Sequence, residues 1–203
     1  VRCGVPPGAE RDAVGAELPA ELGGPHAGGV ANGPGALELA LRALDIGAGD
    51  HVVVAANAGM YATTALRAIG AIPVFADVDE NHLILNAATL DAALTPKTRA
   101  VIVTHLFGRM ADMTQIRAVT ERTGIVLIED CAQAHGARQC GRRAVSWGAA
   151  SSFSFYPTKN RGALGDPGMV TCSAAACAGG TRALRRERWL RSYALRSAPT
   201  GRA

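Results

Sequence analysis

Between His51 and Asp130 the chain alternates short, nearly unbroken apolar runs with segments of helical period, and that rhythm admits few architectures. The runs HVVVA (51–55), IPVFADV (72–78), AVIVTHL (100–106) and IVLIED (125–130) show little polar alternation, so each predicts a strand covered on both faces. Residues 60–69, 87–94 and 112–123 lie between them and predict helices. Strand and helix in regular succession give an α/β fold: three layers, with a mostly parallel mixed sheet in the middle.

The flanking stretches complete this picture. Gly28 to Gly35 reads as a glycine-rich turn that opens an amphipathic helix over 36–44. After Ala150 a short apolar and aromatic strand leads through FSFYP to Lys159, and Met169 to Cys172 predicts one more strand. An arginine-rich helix follows. The spacing divides the chain into an incomplete N-terminal segment (1–30, with a weak helical pattern at 13–22), a main domain (31–175), and an arginine-rich helix with the end of the chain (176–203).

Charge and composition remove several functional classes. The net charge of +4 comes from the last stretch, where seven arginines from Arg182 to Arg202 face the single Glu187. The remainder is slightly acidic and has no basic stripe, so no nucleic-acid partner is expected. Nothing approaches the roughly 20 apolar residues of a membrane span, and the first residues lack a signal-peptide pattern, so a cytoplasmic protein is expected. The 5 cysteines form no CxxC pair and the 5 histidines show no ligand spacing, so no metal is expected.

Lysine is the scarce cation: Lys97 and Lys159 stand among 19 arginines. Arginine cannot lose its proton and form an imine, whereas a lysine amine can. On the residue alone a lone lysine reads first as a solvated surface charge, but the apolar strand leading to Lys159 reverses that and favours delivery to a site. Glu129 and Asp130 stand at the end of a predicted parallel strand, where open sheets of this kind bind ligands. An acid there serves a site, caps a helix or lies in a solvated loop. The glycine-rich turn before 36–44 is in the same way either an anion cradle or an ordinary loop. Lysine, strand-end acid and glycine-rich helix start together fit pyridoxal phosphate chemistry, with the lysine as imine former, the acid on the pyridine nitrogen and the helix start on the phosphate.

The strings GVANGPGALELALRALDIGAGD, GAIPVFADVDENHLIL, HLFGRMADM, IEDCAQAHGA and FSFYPTKNRGALGDPG resemble the DegT/DnrJ/StrS-type sugar aminotransferases, fold type I enzymes of pyridoxal phosphate, from about residue 13 to 196. The resemblance implies Lys159 as the Schiff-base lysine and catalytic acid and base, and Asp130 as partner of the pyridinium nitrogen. It puts Gln133 beside the ring, Ser154 on the phosphate, and Gly33, Pro34 and Gly35 at the phosphate loop. His135 fits the motif as a packed, hydrogen-bonded structural histidine, and Asn160 follows it without a role. It also implies transfer of an amino group from glutamate or glutamine to a keto group of a nucleotide-linked sugar or a cyclitol, in a homodimer.

This chain departs from that pattern in four ways. Pro34 stands where the family has Thr or Ser, leaving Gly35 to donate its N–H. Ungapped counting puts the ring-stacking aromatic at Gly59, so that Tyr61 either substitutes or is a core tyrosine. Pro167 interrupts the Gly-Asp-Gly-Gly turn. The small C-terminal domain is expected to be missing. Two further readings follow: a non-catalytic truncated paralogue or accessory subunit pairing with a full-length relative, and a sugar dehydratase. The second is disfavoured because those relatives replace the lysine with histidine.

Overall fold

The computed structural model describes residues 26–185. The weak helical pattern at 13–22 and the arginines beyond 185 lie outside them. The described chain forms a mixed sheet of 7 strands in the order β1-β9-β8-β5-β4-β2-β3. The strands are β1 (His26–Val30), β2 (His51–Ala55), β3 (Ile72–Ala76), β4 (Thr98–Thr104), β5 (Val126–Asp130), β8 (Ala150–Ser154) and β9 (Gly168–Cys172). Only β9 runs against the others, pairing antiparallel with β8 on one side and β1 on the other. The pairs β3–β2, β2–β4, β4–β5 and β5–β8 are parallel. A small ribbon, β6 (Arg138–Gln139) with β7 (Arg142–Arg143), lies outside the sheet.

Four helices connect the strands: α1 (Gly33–Ala43), α2 (Met60–Ile69), α3 (Ala87–Ala93) and α4 (Met113–Thr123). Three of them have a side-chain start signal, and α2, entered through Gly59, has none. The Asn32 side chain caps α1, Asn86 and Thr89 form a reciprocal capping box on α3, and Asp112 caps α4. Left-handed Gly70 and Gly124 end α2 and α4. The chain is helical again from 175 to 185.

Both faces of the sheet are covered, as the continuous apolar runs require. Val53, Val101 and Val103 pack under α3 and α4 with Leu90, Met113 and Ile116, while Val52, Val54 and Ile102 pack with Leu41, Leu66 and Ile69 of α1 and α2. No helix among the described residues is long and apolar enough to cross a membrane.

Two sequence expectations change. Gly28 to Val30 is extended backbone in β1 rather than part of a turn, so the glycine-rich loop shrinks to two residues before α1 begins at Gly33. Paired with β9, β1 makes those residues part of the main sheet. The FSFYP strand ends at Ser154, well short of Lys159. The cause is Pro157, whose ring lacks an N–H, in a turn closed by Lys159 N–H to the Tyr156 carbonyl at 2.8 Å and Ala163 N–H to the Phe155 carbonyl at 2.9 Å. That turn depends on Gly162, because a Cβ there would collide with the Pro157 carbonyl.

Candidate active site

The parallel strands β2, β4, β5 and β8 end at one edge of the sheet, and β1 runs with them, so the starts of α1 and α2 lie at the same edge. This edge gathers the sequence-derived candidates.

Asp130 is the last residue of β5 and is buried. Its Oδ1 accepts the Ala132 N–H at 3.1 Å, and its Oδ2 accepts the Thr104 hydroxyl at 3.5 Å. Burial pushes the Asp130 carboxyl up from its ordinary value; the Ala132 N–H, the charges of His105 and Lys159 and the Thr104 hydroxyl only partly oppose this. It is therefore a desolvated acid short of positive charge, and a cation in front of it would relieve that deficit.

Lys159 stands half-buried on the turn after β8, with Nζ 5.6 Å from the centre of the Tyr61 ring. That cation–π approach brings the α2 start and the lysine turn together. Tyr61 is 57% exposed, which excludes the core alternative. Gly59 caps α2 with a positive φ of 73°, and a Cβ added there would be 3.6 Å from the Tyr61 ring, so the aromatic occupies the space beside the glycine that ungapped counting selects.

Ser154 ends β8, buried, and its Oγ accepts the Tyr156 N–H at 3.3 Å, leaving the hydroxyl proton to donate. Gly33, the first residue of α1, rests against it: a Cβ at Gly33 would lie 2.9 Å from Ser154 Cβ. The Gly35 N–H is engaged, because the Asn32 side-chain oxygen accepts it at 2.8 Å. The free donor expected of Gly35 is therefore occupied by the helix cap, and Pro34 has none to offer.

Gln133 follows β5 and accepts the Phe107 N–H on Oε1 at 2.7 Å, which leaves its NH₂ as the free end. Phe107 reaches it through a left-handed backbone (φ 56°) and is 82% exposed.

His135 packs against Phe153 and Phe155 with ring centroids 5.1 and 5.3 Å away. The packing agrees with expectation, but the hydrogen bonding does not, since neither buried ring nitrogen has a partner. Burial, with the nearby charges of Arg161 and Lys159, lowers its pKa to about 4; Asn160 opposes the shift without closing a hydrogen bond of good geometry.

Sequence reasoning missed the support behind Asp130. Glu129, its neighbour, points to the opposite side of the strand, where it accepts from His105 Nε2, the N–H groups of Val145, Trp147 and Gly148, and Ser151 Oγ. The histidines look scattered in sequence, and only the parallel pairing of β4 with β5 brings His105 to Glu129. The Cys131 thiol lies within 4.8 Å of the same groups, but these donors already occupy the Glu129 carboxylate.

A model of the DegT/DnrJ/EryC1/StrS aminotransferase family matches residues 5–193. The chain is similar to a dTDP-3-amino-3,4,6-trideoxy-alpha-D-glucose transaminase of Micromonospora megalomicea subsp. nigra, with 44% identity over 164 residues, 81% of this chain and 43% of the relative. Among solved structures, the chain resembles S. venezuelae DesV at a TM-score of 0.85 and 42% identity, over 88% of this chain and 48% of that one. It also resembles ntda from Bacillus subtilis with bound cofactor PMP, at a TM-score of 0.81 and 26% identity, over 86% of this chain and 39% of the other. The chain spans under half the length of the curated relatives it matches.

Proposed function

The chain belongs to the DegT/DnrJ/EryC1/StrS aminotransferase family, and on that premise we propose that it holds pyridoxal phosphate and serves amino transfer from glutamate or glutamine to a keto group of a nucleotide-linked sugar or cyclitol. Its fold is that of the large domain of fold type I enzymes. The observation that carries the reading is Asp130: a carboxyl buried at the end of β5 and pushed up by burial, which the Lys159 charge only partly offsets.

The residues present suit the cofactor. Asp130 offers a buried anion to a protonated pyridine nitrogen, Gln133 a free NH₂ to the ring's phenolic oxygen, Tyr61 an aromatic face, and Ser154 with the Gly33 backbone a place for the phosphate. When bound, the cofactor supplies an aldehyde and an electron-withdrawing ring. Asp130 keeps the ring nitrogen charged and so sustains that withdrawal. Lys159 Nζ would hold the aldehyde carbon, whose oxygen leaves as water, and once displaced by the donor's amine it would be free to accept a proton at Nζ and give it back. The neutral, apolar-packed His135 adds no competing proton near the amine.

Pairing with a second chain, of this kind or a longer relative, is supported by the large side chains left open around the site: Met60 (70% exposed), Phe107 (82%) and Leu164 (fully exposed).

The chain has only two lysines, which makes a direct test simple. Pyridoxal phosphate is added to the purified protein, the product is reduced with borohydride, and the labelled peptide is identified by mass. Label on Lys159 and not Lys97, lost in Lys159→Ala, is expected. Label absent from Lys159, or shared equally with Lys97, sinks the reading.

A further inference from the structure

The turn after β4 keeps a costly conformation with no local return. Phe107 has a left-handed backbone (φ 56°, ψ 24°), which a residue with a Cβ adopts only under constraint. Its ring gains little packing within the chain, because the residue is 82% exposed. What this stretch does make is a row of contacts onto the chain from Asp130 to Gln133. The Thr104 hydroxyl meets Asp130 Oδ2 at 3.5 Å, the His105 N–H donates to the Asp130 carbonyl at 3.1 Å, and the Phe107 N–H donates to Gln133 Oε1 at 2.7 Å.

The turn sits on a fixed base. His105 is fully buried against Glu129, and the turn above it is closed by Gly108 N–H to the His105 carbonyl at 3.3 Å and Arg109 N–H to the Leu106 carbonyl at 3.1 Å. Gly108 also has a positive φ of 79°, and a Cβ there would lie 3.1 Å from the Gln133 carbonyl oxygen. Strain of this kind persists only where the surroundings over-determine it, and here the last contact it secures is the one to the Gln133 side chain.

That contact has a polarity. A backbone N–H can only donate, so the Gln133 atom it meets is the amide oxygen; turned over, the amide would bring its NH₂ against another N–H. The NH₂ is then the end left for a ligand, and it can donate but not accept. We propose that Phe107 is a positioning residue, whose backbone N–H fixes Gln133 as a donor so that the site takes the cofactor's phenolic oxygen in its proton-free, anionic form. This rests on the reading that the site holds pyridoxal phosphate. Without the Phe107 N–H the amide has two orientations, and one of them sets oxygen against oxygen. With it, the amide is oriented before the ligand arrives, and binding does not bear that ordering cost.

The test uses the full chain with pyridoxamine 5′-phosphate, which forms no imine with lysine, and with its 3-deoxy analogue, which carries hydrogen in place of the phenolic hydroxyl. Equilibrium titration of the native chain should show a preference for the first. Placing the α-hydroxy acid analogue of phenylalanine at position 107 by nonsense suppression exchanges the N–H for an ester oxygen and keeps the ring. The preference should then fall about 2–10-fold, the value of one neutral hydrogen bond, with the deoxy analogue bound as before. Gly108→Ala, which presses the turn against the Gln133 backbone, should lower the preference in the same selective way and serves where the ester chain fails to fold. Phe107→Gly keeps the N–H and removes the left-handed penalty, so it should keep the preference. Equal loss of both ligands in the altered chains, or no loss of either, overturns the proposal. So does a native chain that binds both ligands alike, even with pyridoxal phosphate labelling Lys159; a native chain that binds neither and takes no label on Lys159 removes the cofactor reading as well.

Discussion

His105 donates from Nε2 to a Glu129 carboxylate oxygen at 3.1 Å, and solvent reaches neither side chain. The tautomer follows from the other ring nitrogen, where Nδ1 accepts the Ala111 N–H at 3.4 Å. Glu129 therefore anchors the loop after β4 and the segment 145–148 on one side of β5, while Asp130 faces the other. One strand end serves structure and chemistry on alternate residues, as the period of a strand requires.

Removing that anchor should be costly. Glu129→Ala leaves His105 and three backbone N–H groups without an acceptor, and a loss of about 3–5 kcal/mol is expected by urea unfolding. Burial alone would raise the Glu129 carboxyl, but the hydrogen bond from His105 and the N–H groups of Gly148 and Val145 outweigh it and hold it below 4.5. The sign follows: the carboxylate's contribution is complete above the unfolded value of 4.5 and is lost as pH falls through the lower folded value. In Glu129→Gln the acid side of the stability profile should flatten; an unchanged acid limb would remove Glu129 from that role.

Asp130 has the opposite sign. Its folded carboxyl is raised, so the charge costs the cofactor-free protein stability once pH exceeds the unfolded value of 3.8, and the cost is complete above the folded one. Asp130→Asn should then be more stable than the native chain near neutral pH, with the difference vanishing at low pH. The same variant should bind the cofactor roughly 10–100-fold more weakly, the value of a charge-assisted hydrogen bond of about 1.5–3 kcal/mol. Unfolding and cofactor titration of one variant would show both changes, and a variant less stable than the native chain at neutral pH contradicts the first.

The strands were legible because full burial erases polar alternation: HVVVA and IVLIED map onto β2 and β5 within a residue. Lys159, Asp130, Gln133 and Ser154 could be singled out from the sequence, and the chain carries them at or just after the ends of β5 and β8. The use of Gly28 to Val30 was not, since glycine suits a turn as well as an edge strand, and only pairing with β9 makes it extended. Nor was the Asn32 cap that engages Gly35, because a local side-chain bond competes with the ligand role without altering the pattern of residues. His105 with Glu129 needed the β4–β5 register.

The contact between Gly33 and Ser154 can be tested by restoring space. An alanine at an ordinary helix position stabilises by about 1 kcal/mol relative to glycine. At Gly33 its Cβ would be 2.9 Å from Ser154 Cβ, so Gly33→Ala should instead destabilise by about 1–3 kcal/mol. Adding Ser154→Gly should recover part of that loss, giving a coupling above the sum of the single changes. Simple additivity would show that the two residues do not press on each other.

Pro34 offers a prediction in the direction of gain. It is the second residue of α1, a turn whose partial positive charge favours an anion, yet the Gly35 N–H goes to Asn32 and the Ala36 N–H to the Asn32 carbonyl at 3.0 Å. Pro34→Ser supplies one N–H and one hydroxyl at that place. Losing the proline ring costs about 0.4–1 kcal/mol of stability through the unfolded chain. One added hydrogen bond of about 0.5–1.5 kcal/mol should tighten pyridoxal phosphate by roughly 2–10-fold in an equilibrium titration. Pyridoxal, which lacks the phosphate, should bind both forms alike. A gain shared by both ligands would move the effect away from the phosphate, and no gain with either would mean that the start of α1 does not hold it.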